Sequence, residues 1–419
     1  MSDKTILFLS VSDFTERGMQ VILRTPGHLS EHGWDVHFLV ARDTSPTGSF
    51  YYQKEINPPG IKTHRFEMPL VGWMESIKNH TLKTIYSKFR GYGAIFKLAY
   101  HGRKILDGND VDVIYGLGTH GVLAAQLLRV LGCTKKQKFV SRFFGTFLAD
   151  HLIKRNVLKI VLNWEEAVAL YLESDLCIMT DDGSFGDQAL ELLASRALKN
   201  FKFWINGVDK FNLGGAEHFA GDTGKIRLLT ICRLASWKRV ERGIEVVRQL
   251  VGKFGVTDLV YNIVGDGPER QKLEGLSAGY GLGNQVRFLG ALANDKALRY
   301  LCGSDIYIST YDITNVGNPL LEAIRAHKII FTLNNGDTPR WIQHRVNGFI
   351  YDLDDDLAER MAKDIVEVCG NSDLKSAVIK NIVKTENEKL WTWEQRLAAE
   401  LAEIEKILPA AADQDAGRR

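Results

Sequence analysis

Short apolar runs alternate with stretches of helical periodicity from one end of the chain to the other. TILFLSV, DVHFLVA, VDVIYGL, KFVSRFF and LCIMT in the first half read as buried strands, as do IRLLTICRL, LVYNIVG, VRFLG, IYIST and KIIFTL in the second. Between them lie segments such as GVLAAQLLRVLG, RVERGIEVVRQLVGKFG and NPLLEAIRAHK, whose apolar positions recur at helical spacing. Strand–helix alternation of this kind predicts parallel α/β sheets. The pattern breaks over about 205–225, INGVDKFNLGGAEHFAGDTGK, which is rich in glycine and poor in apolar residues, and then restarts. Two domains, each on a parallel sheet, are therefore expected, at 1–207 and 208–389. The stripe in WTWEQRLAAELAEIEKIL predicts a helix over about 390–408 that packs back on the first domain, and 409–419 is expected to be a disordered tail.

Composition changes this picture only a little. A chain of 419 residues is long enough for two cores. A net charge of +2 makes no case for nucleic acid as a partner. Five cysteines, at 133, 177, 232, 302 and 369, are scattered without a C-x-x-C pair, which fits a reducing compartment and argues against structural zinc. The apolar run in MSDKTILFLSVSD is too short for a signal peptide, and no stretch has membrane-spanning length, so a cytoplasmic protein is expected. One segment stands apart. Residues 71–105 hold seven Lys or Arg against one Glu, interleaved with Trp73, Tyr86, Phe89, Tyr92, Phe96 and Tyr100. That composition suits the face of an anionic membrane, peripheral at its inner side, and equally a pair of solvated surface helices.

Candidate chemistry lies at two strand ends in the second half. In ICRLASWKRVERG a strand ends near Arg233 and a helix begins near Lys238, so Arg233, Lys238, Arg239 and Arg242 crowd a helix start that already carries partial positive charge. A bound phosphate would offset that charge, and so in part would Glu241 and Glu245. In TNVGNPLLEA, Asn318 reads as an N-cap and Pro319 as the first turn, with the amides of 316–321 pointing out of the helix start. Glu322 either complements the helix dipole or accepts hydrogen bonds from a diol such as a ribose. Both loops follow parallel strands, where ligands bind in such sheets. Cations, amides and a carboxylate together suit a nucleoside diphosphate.

At this point the chain resembles the family-4 retaining glycosyltransferases, which have the GT-B fold of two Rossmann-like domains facing a central cleft. INGVD at 205–209 looks like their domain junction, RLASWK at 233–238 is similar to their phosphate-binding Arg and Lys, and VGDGPERQKLE, VRFLG and DTPRWIQHRVNGFIYD resemble their core segments. GNPLLEA at 317–323 matches the second half of their Glu-x7-Glu element. The resemblance implies a retaining, metal-independent hexosyltransferase acting in polysaccharide or lipopolysaccharide assembly. The nucleotide-diphosphate sugar is its substrate, a glycan or lipid-linked molecule its acceptor, and no cofactor is needed. It implies catalytic roles for Arg233, Lys238 and Glu322, and donor binding by Thr314, Asn315, Val316, Gly317, Asn318 and Leu320. Gly18, in ERGMQ, would leave room for a phosphate or the acceptor, and His120, in GTHG, is a candidate facing the cleft.

Two departures from the pattern fall on groups that would touch the sugar. The family's first Glu maps to Thr314, with Asp312 nearby but out of register, and Phe144 stands where a histidine often does. Other readings stay open. GLGTHG at 116–121 fits a dinucleotide fingerprint, with Arg142 for a 2′-phosphate, although no acidic residue lies between Asp112 and Asp150 to hold a ribose. A GT-B sugar-nucleotide epimerase and a non-catalytic partner protein would keep the same second-half site. The acidic runs TDDG and YDLDDD imitate a Mg²⁺-binding Asp-x-Asp, but no metal is required on the glycosyltransferase reading, and YDLDDD reads as a solvated helix start.

Overall fold

The computed structural model describes residues 4–15, 20–43, 55–68, 77, 79–194, 200–211, 222 and 224–409. Gly18, Trp73 and the rest of 71–76, most of the glycine-rich stretch 212–221, and the expected tail 410–419 lie outside them. The chain divides into two compact units. One comprises Met1–Asp181, Gly186–Trp204 and Glu394–Arg419, and the other Asp182–Phe185 and Ile205–Trp393. No described helix is long and apolar enough to cross a membrane.

The first unit is built on seven parallel strands: β1 Thr5–Ser10, β2 Asp35–Arg42, β3 Ile61–Glu67, β4 Val113–Leu117, β5 Lys138–Phe143, β6 Leu176–Thr180 and β7 Phe201–Trp204. Their order is β3-β2-β1-β4-β5-β6-β7. The central strands are buried along almost their whole length, because helices cover both faces of a parallel sheet. The edge strands β3 and β7 are not. IKTHRFE and FKFW are only half-buried and carry polar residues, and neither stands out as a strand in the sequence. The basic aromatic stretch is one helix in its described part, α2 His80–Gly108, rather than a pair. The helix Trp393–Ile407, α15, contributes Ile404 to the core that contains Ile6, Phe8 and Val36, so the chain's last element completes its first sheet.

The second unit holds six parallel strands: β8 Ile226–Ile231, β9 Leu259–Val264, β10 Val286–Gly290, β11 Ile306–Ser309, β12 Ile329–Leu333 and β13 Phe349–Tyr351. Their order, β10-β9-β8-β11-β12-β13, reverses direction between β8 and β11. Such a switch leaves the loops after those two strands without a covering crossover, and it is where open α/β sheets bind ligands. The loop after β8 carries RLASWK and the loop after β11 carries TNVGNP.

Candidate functional site

The two switch-point loops are tied to each other. Past β8 the backbone takes a short 3₁₀ turn, Ser236–Lys238, and passes through Arg239 in the left-handed region (φ 50°) before α8, Val240–Gly252, begins. The helix thus starts two residues later than the sequence suggests, and a non-glycine residue at positive φ marks a strained junction. The N–H of Asp312 donates to the Trp237 carbonyl (3.0 Å), and Arg242 Nη1 to the Thr310 carbonyl (2.7 Å). Tyr311 Oη donates to the Ile231 carbonyl at 3.2 Å. A third loop, VGDGPE, packs beneath. A methyl group on Gly265, where φ is +137°, would stand 1.8 Å from the Cys232 carbonyl oxygen, so only glycine permits that approach.

The four cations of RLASWKRVER separate into two classes. Arg242 pairs with Asp312 at 2.7 Å, and Arg239 with Glu241 at 3.2 Å and Asp312 at 3.6 Å. Asp312 is therefore spent on arginines and does not stand in for the carboxylate absent at Thr314. Arg233 and Lys238 have no carboxylate partner among the described residues. Arg233 is exposed. The Lys238 ammonium lies 3.9 Å from the centre of the Trp237 ring and 3.7 Å from that of Tyr311. Aromatic faces hold a cation without neutralising it. Burial depresses the Lys238 amine to about 8, with only Cys232 acting in the opposite sense. A half-buried, unpaired cation is costly unless an anion comes to it.

The other loop is folded by Asn315. Its Oδ1 accepts from the Tyr311 N–H (2.9 Å), its Nδ2 donates to Asn335 Oδ1 (2.8 Å), and its own N–H reaches Thr338 Oγ1 at 3.4 Å. Thr314 Oγ1 accepts from the Val316 N–H (3.1 Å) and donates to the Asp182 carbonyl (3.0 Å). The helix α11, Asn318–Arg325, is capped by Gly317 in extended backbone, so Asn318 is its first residue and not its cap. The Asn318 side chain instead accepts from Asn206 Nδ2 at 2.9 Å, which ties in the INGVD segment. The Leu320 N–H donates to the Gly317 carbonyl (3.0 Å), which with the bonds above removes Asn315, Val316 and Leu320 as sources of free amides. The N–H groups of Gly317 and Asn318 have no acceptor among the described residues.

Glu322 follows in the first turns of α11. Burial alone pushes its carboxyl up to about 7. It acts on Tyr307, whose hydroxyl lies 3.4 Å from that of Tyr311, so a short chain of side chains joins Glu322 to the ring under Lys238. Lys238, Glu322 and the two open amides thus belong to one neighbourhood at the carboxyl ends of β8 and β11. The aromatic corner of Trp237 and Tyr311, whose rings stand at 76° to each other, is the part that motif reading passed over; its signal was a tryptophan directly before the lysine. The loop after β6, noted in the sequence only for its acidic TDDG, also belongs to this neighbourhood. Asp182 packs in the second unit beside Thr314, its carboxyl pushed up to about 6 chiefly by burial, with Ser184 opposing and Asp337 adding to the rise.

His120 belongs to the first unit, in the opening turn of helix α3, Gly118–Val130. It packs on α2 so closely that a methyl on Gly91 would meet its Nε2 at 2.4 Å, and burial lowers its affinity for a proton. Phe144 is partly buried against the first unit's core, with the Arg142 guanidinium 5.5 Å from its ring. The glycines of GLGTHG have a packing reason of their own. A methyl on Gly116 would lie 2.6 Å from Val122 Cα, and one on Gly121 only 2.1 Å from the Leu9 carbonyl oxygen. The fingerprint spacing here seats α3 against β1 and β4. Among the described residues no cluster of potential metal ligands occurs, TDDG and YDLDDD included.

Comparison with known proteins places these features. Residues 217–385 match the family described as Glycosyl transferases group 1, a stretch within the second unit. An uncharacterized glycosyltransferase, MJ1069 of Methanocaldococcus jannaschii, is 29% identical over 38% of this chain and 41% of its own length. The 2-deoxystreptamine N-acetyl-D-glucosaminyltransferase of Niallia circulans is 28% identical over 32% of this chain and 33% of its own. The matched region thus spans between a third and about two fifths of these curated relatives. The crystal structure of Anabaena HepE in complex with UDP and glucose superposes with a TM-score of 0.66 at 16% identity, covering 97% of this chain and all of that one. The fold is GT-B, as the family resemblance implied, and its two parallel sheets are what the alternation of strands and helices suggested.

Proposed function

We propose that the second unit binds a nucleotide-diphosphate sugar and that the protein is a retaining glycosyltransferase moving the sugar to a glycan or lipid-linked acceptor. The observation that carries this reading is Lys238, held unpaired against two rings at a sheet switch point whose other loop leaves two amides unclaimed among the described residues. A diphosphate is the anion that matches them. Arg233 and Lys238 would take its charge, the N–H groups of Gly317 and Asn318 would take phosphate or sugar oxygens, and the Glu322 carboxylate would accept from the ribose diol.

Cleaving the glycosyl–phosphate bond leaves charge on the diphosphate while an oxocarbenium-like sugar forms. Pre-placed cations and amides stabilise that leaving group without solvent reorganisation. Each charge-assisted bond contributes about 1.5–3 kcal/mol, so removing Arg233 or Lys238 is expected to cost about ten- to hundredfold or more in turnover. Retention by same-face attack rests on the family resemblance, and the anomeric proton coupling of the product reads it directly. The same cations take the role a metal would otherwise fill, and turnover is expected to survive EDTA. The five free cysteines fit a cytoplasmic setting.

Titration calorimetry with UDP-, GDP-, ADP- and dTDP-sugars tests the site. Binding of one class, weakened at least tenfold by Lys238→Ala, is the expected result. Failure of every nucleotide to bind, or wild-type affinity in the variant, overturns the reading.

A further inference from the structure

The first unit carries an apolar surface that its own core does not use. On α2, Leu82, Ile85, Phe89, Phe96 and Tyr100 are exposed by 58, 47, 64, 65 and 58%. At 3.6 residues per turn they fall within about 60° of one another, a single stripe. Beside it lies α5, Val157–Leu162, a helix with no buried residue at all. Its Val157, Leu158, Val161 and Leu162 are exposed by 67, 68, 59 and 51%. The two surfaces are continuous. Trp164 Nε1, at the start of α6 Trp164–Tyr171, donates to Tyr92 Oη of α2 at 3.1 Å, and Lys88 of α2 pairs with Glu165 at 2.6 Å. Single exposed apolar residues need no explanation, but a contiguous patch of this size marks a contact surface.

The charge around the patch selects the occupant. Residues 80–108 and 148–171 hold nine Lys or Arg against four Asp or Glu, whereas the whole chain nets only +2, so the excess positive charge is concentrated here. Lys97 and Lys104 flank the α2 stripe, and Lys154, Arg155 and Lys159 flank the α5 face, all of them exposed. Apolar side chains ringed by long cationic ones match an acyl layer under anionic headgroups. A second copy of this chain would bring its own positive patch against this one. We infer that α5 and the α2 stripe together form a docking face for an anionic lipid bilayer, with α5 entering the headgroup–acyl boundary.

This inference extends the basic character of 71–105 to a second element, which lies outside that segment and which composition alone did not mark. It is independent of the donor-site reading, because vesicle binding is measured without nucleotide. The experiment is sedimentation of the full-length protein with vesicles of phosphatidylcholine alone or mixed with phosphatidylglycerol. Wild-type protein is expected to sediment with the anionic vesicles and to be released by salt. Leu158→Glu with Val161→Glu, at positions that touch no core, is expected to abolish sedimentation at any salt while leaving thermal stability unchanged. Lys154→Gln, Arg155→Gln and Lys159→Gln are each expected to weaken it about fivefold. Sedimentation by the Leu158→Glu/Val161→Glu protein equal to wild type, or no sedimentation of wild type at low salt, overturns the proposal. So does an analytical-ultracentrifugation dimer that the same double substitution dissociates in a protein that never binds vesicles.

Discussion

At the scale of single residues, the candidate site is defined by what each charge already has. Four cations stand within ten residues of one another, yet Asp312 and Glu241 satisfy two of them and leave Arg233 and Lys238 for a ligand. That division is invisible in the sequence, because it depends on Asp312 folding back to α8 from a loop some seventy positions away. The residue types were readable; their partners were not. The same holds for Asn315 and Leu320, whose amides the motif offers to a ligand and the loop consumes. Two pH-sensitive groups follow from the burial of the site. On the proposed reading nucleotide binding needs Lys238 charged, and its amine loses its proton above about 8. It also needs Glu322 ionised to accept from a ribose, and its carboxyl gains a proton below about 7. Affinity for UDP measured by calorimetry is therefore expected to pass through a maximum between these values and to fall on both sides. Glu322→Gln should remove the acidic limb and leave the alkaline one. The same substitution should erase about a tenfold preference for UDP over 2′-deoxy-UDP, the worth of one hydrogen bond to a charged group.

At the scale of elements, legibility follows burial. Strands covered on both faces are continuous apolar runs, and β1, β2, β4, β5, β6 and their second-unit counterparts β8, β9, β11 and β12 stand out in the sequence. The strands passed over, β3, β7 and β13, all lie at sheet edges: in β3 and β7 the pattern dissolves into the half-buried IKTHRFE and FKFW, while β13, FIY, is buried but only three residues long, and the fourth edge strand, β10, kept enough apolar residues in VRFLG to be read. GLGTHG shows the converse case, a motif whose spacing is real and for which the structure supplies a local packing reason. Its glycines let α3 approach β1, so Gly121→Ala is expected to lower the thermal midpoint and to cut hydrogen-exchange protection in β1 and β4 by about 1–3 kcal/mol, through overpacking against the Leu9 carbonyl. NADPH should shift the midpoint of neither protein. A dinucleotide-dependent shift in the wild type alone would restore the other interpretation of that loop.

At the scale of the whole molecule, the chain is interleaved rather than cut once. It leaves the first unit at Trp204, builds the second, and returns at Glu394 with α15. What α15 brings back is charge as well as apolar surface. Glu400, 1% exposed, pairs with Arg396 at 2.7 Å, is bonded by the Tyr115 hydroxyl and lies in the field of the fully buried Arg142. Burial alone would raise its carboxyl, but the two arginines overcome that and hold it below its ordinary value. Without Glu400 the fully buried Arg142 would lose the carboxylate whose field acts on it. Leaving a buried charge uncompensated costs about 3–5 kcal/mol, so Glu400→Ala should lower stability by that amount, well beyond its lost packing. The interleaving decides where the loss is felt. With two units a single unfolding free energy is not defined, and hydrogen exchange resolved by segment is the proper measurement. Protection in β1, β4 and β5 should fall in the variant, while β8, β9 and β11 keep theirs. UDP at a hundred times its Kd should then raise protection by about 2.7 kcal/mol in the second set, in variant and wild type alike. If the loss instead spread evenly over both sheets, the second unit would depend on α15 for its own fold. The proposed donor site could not then be treated as the property of one sheet.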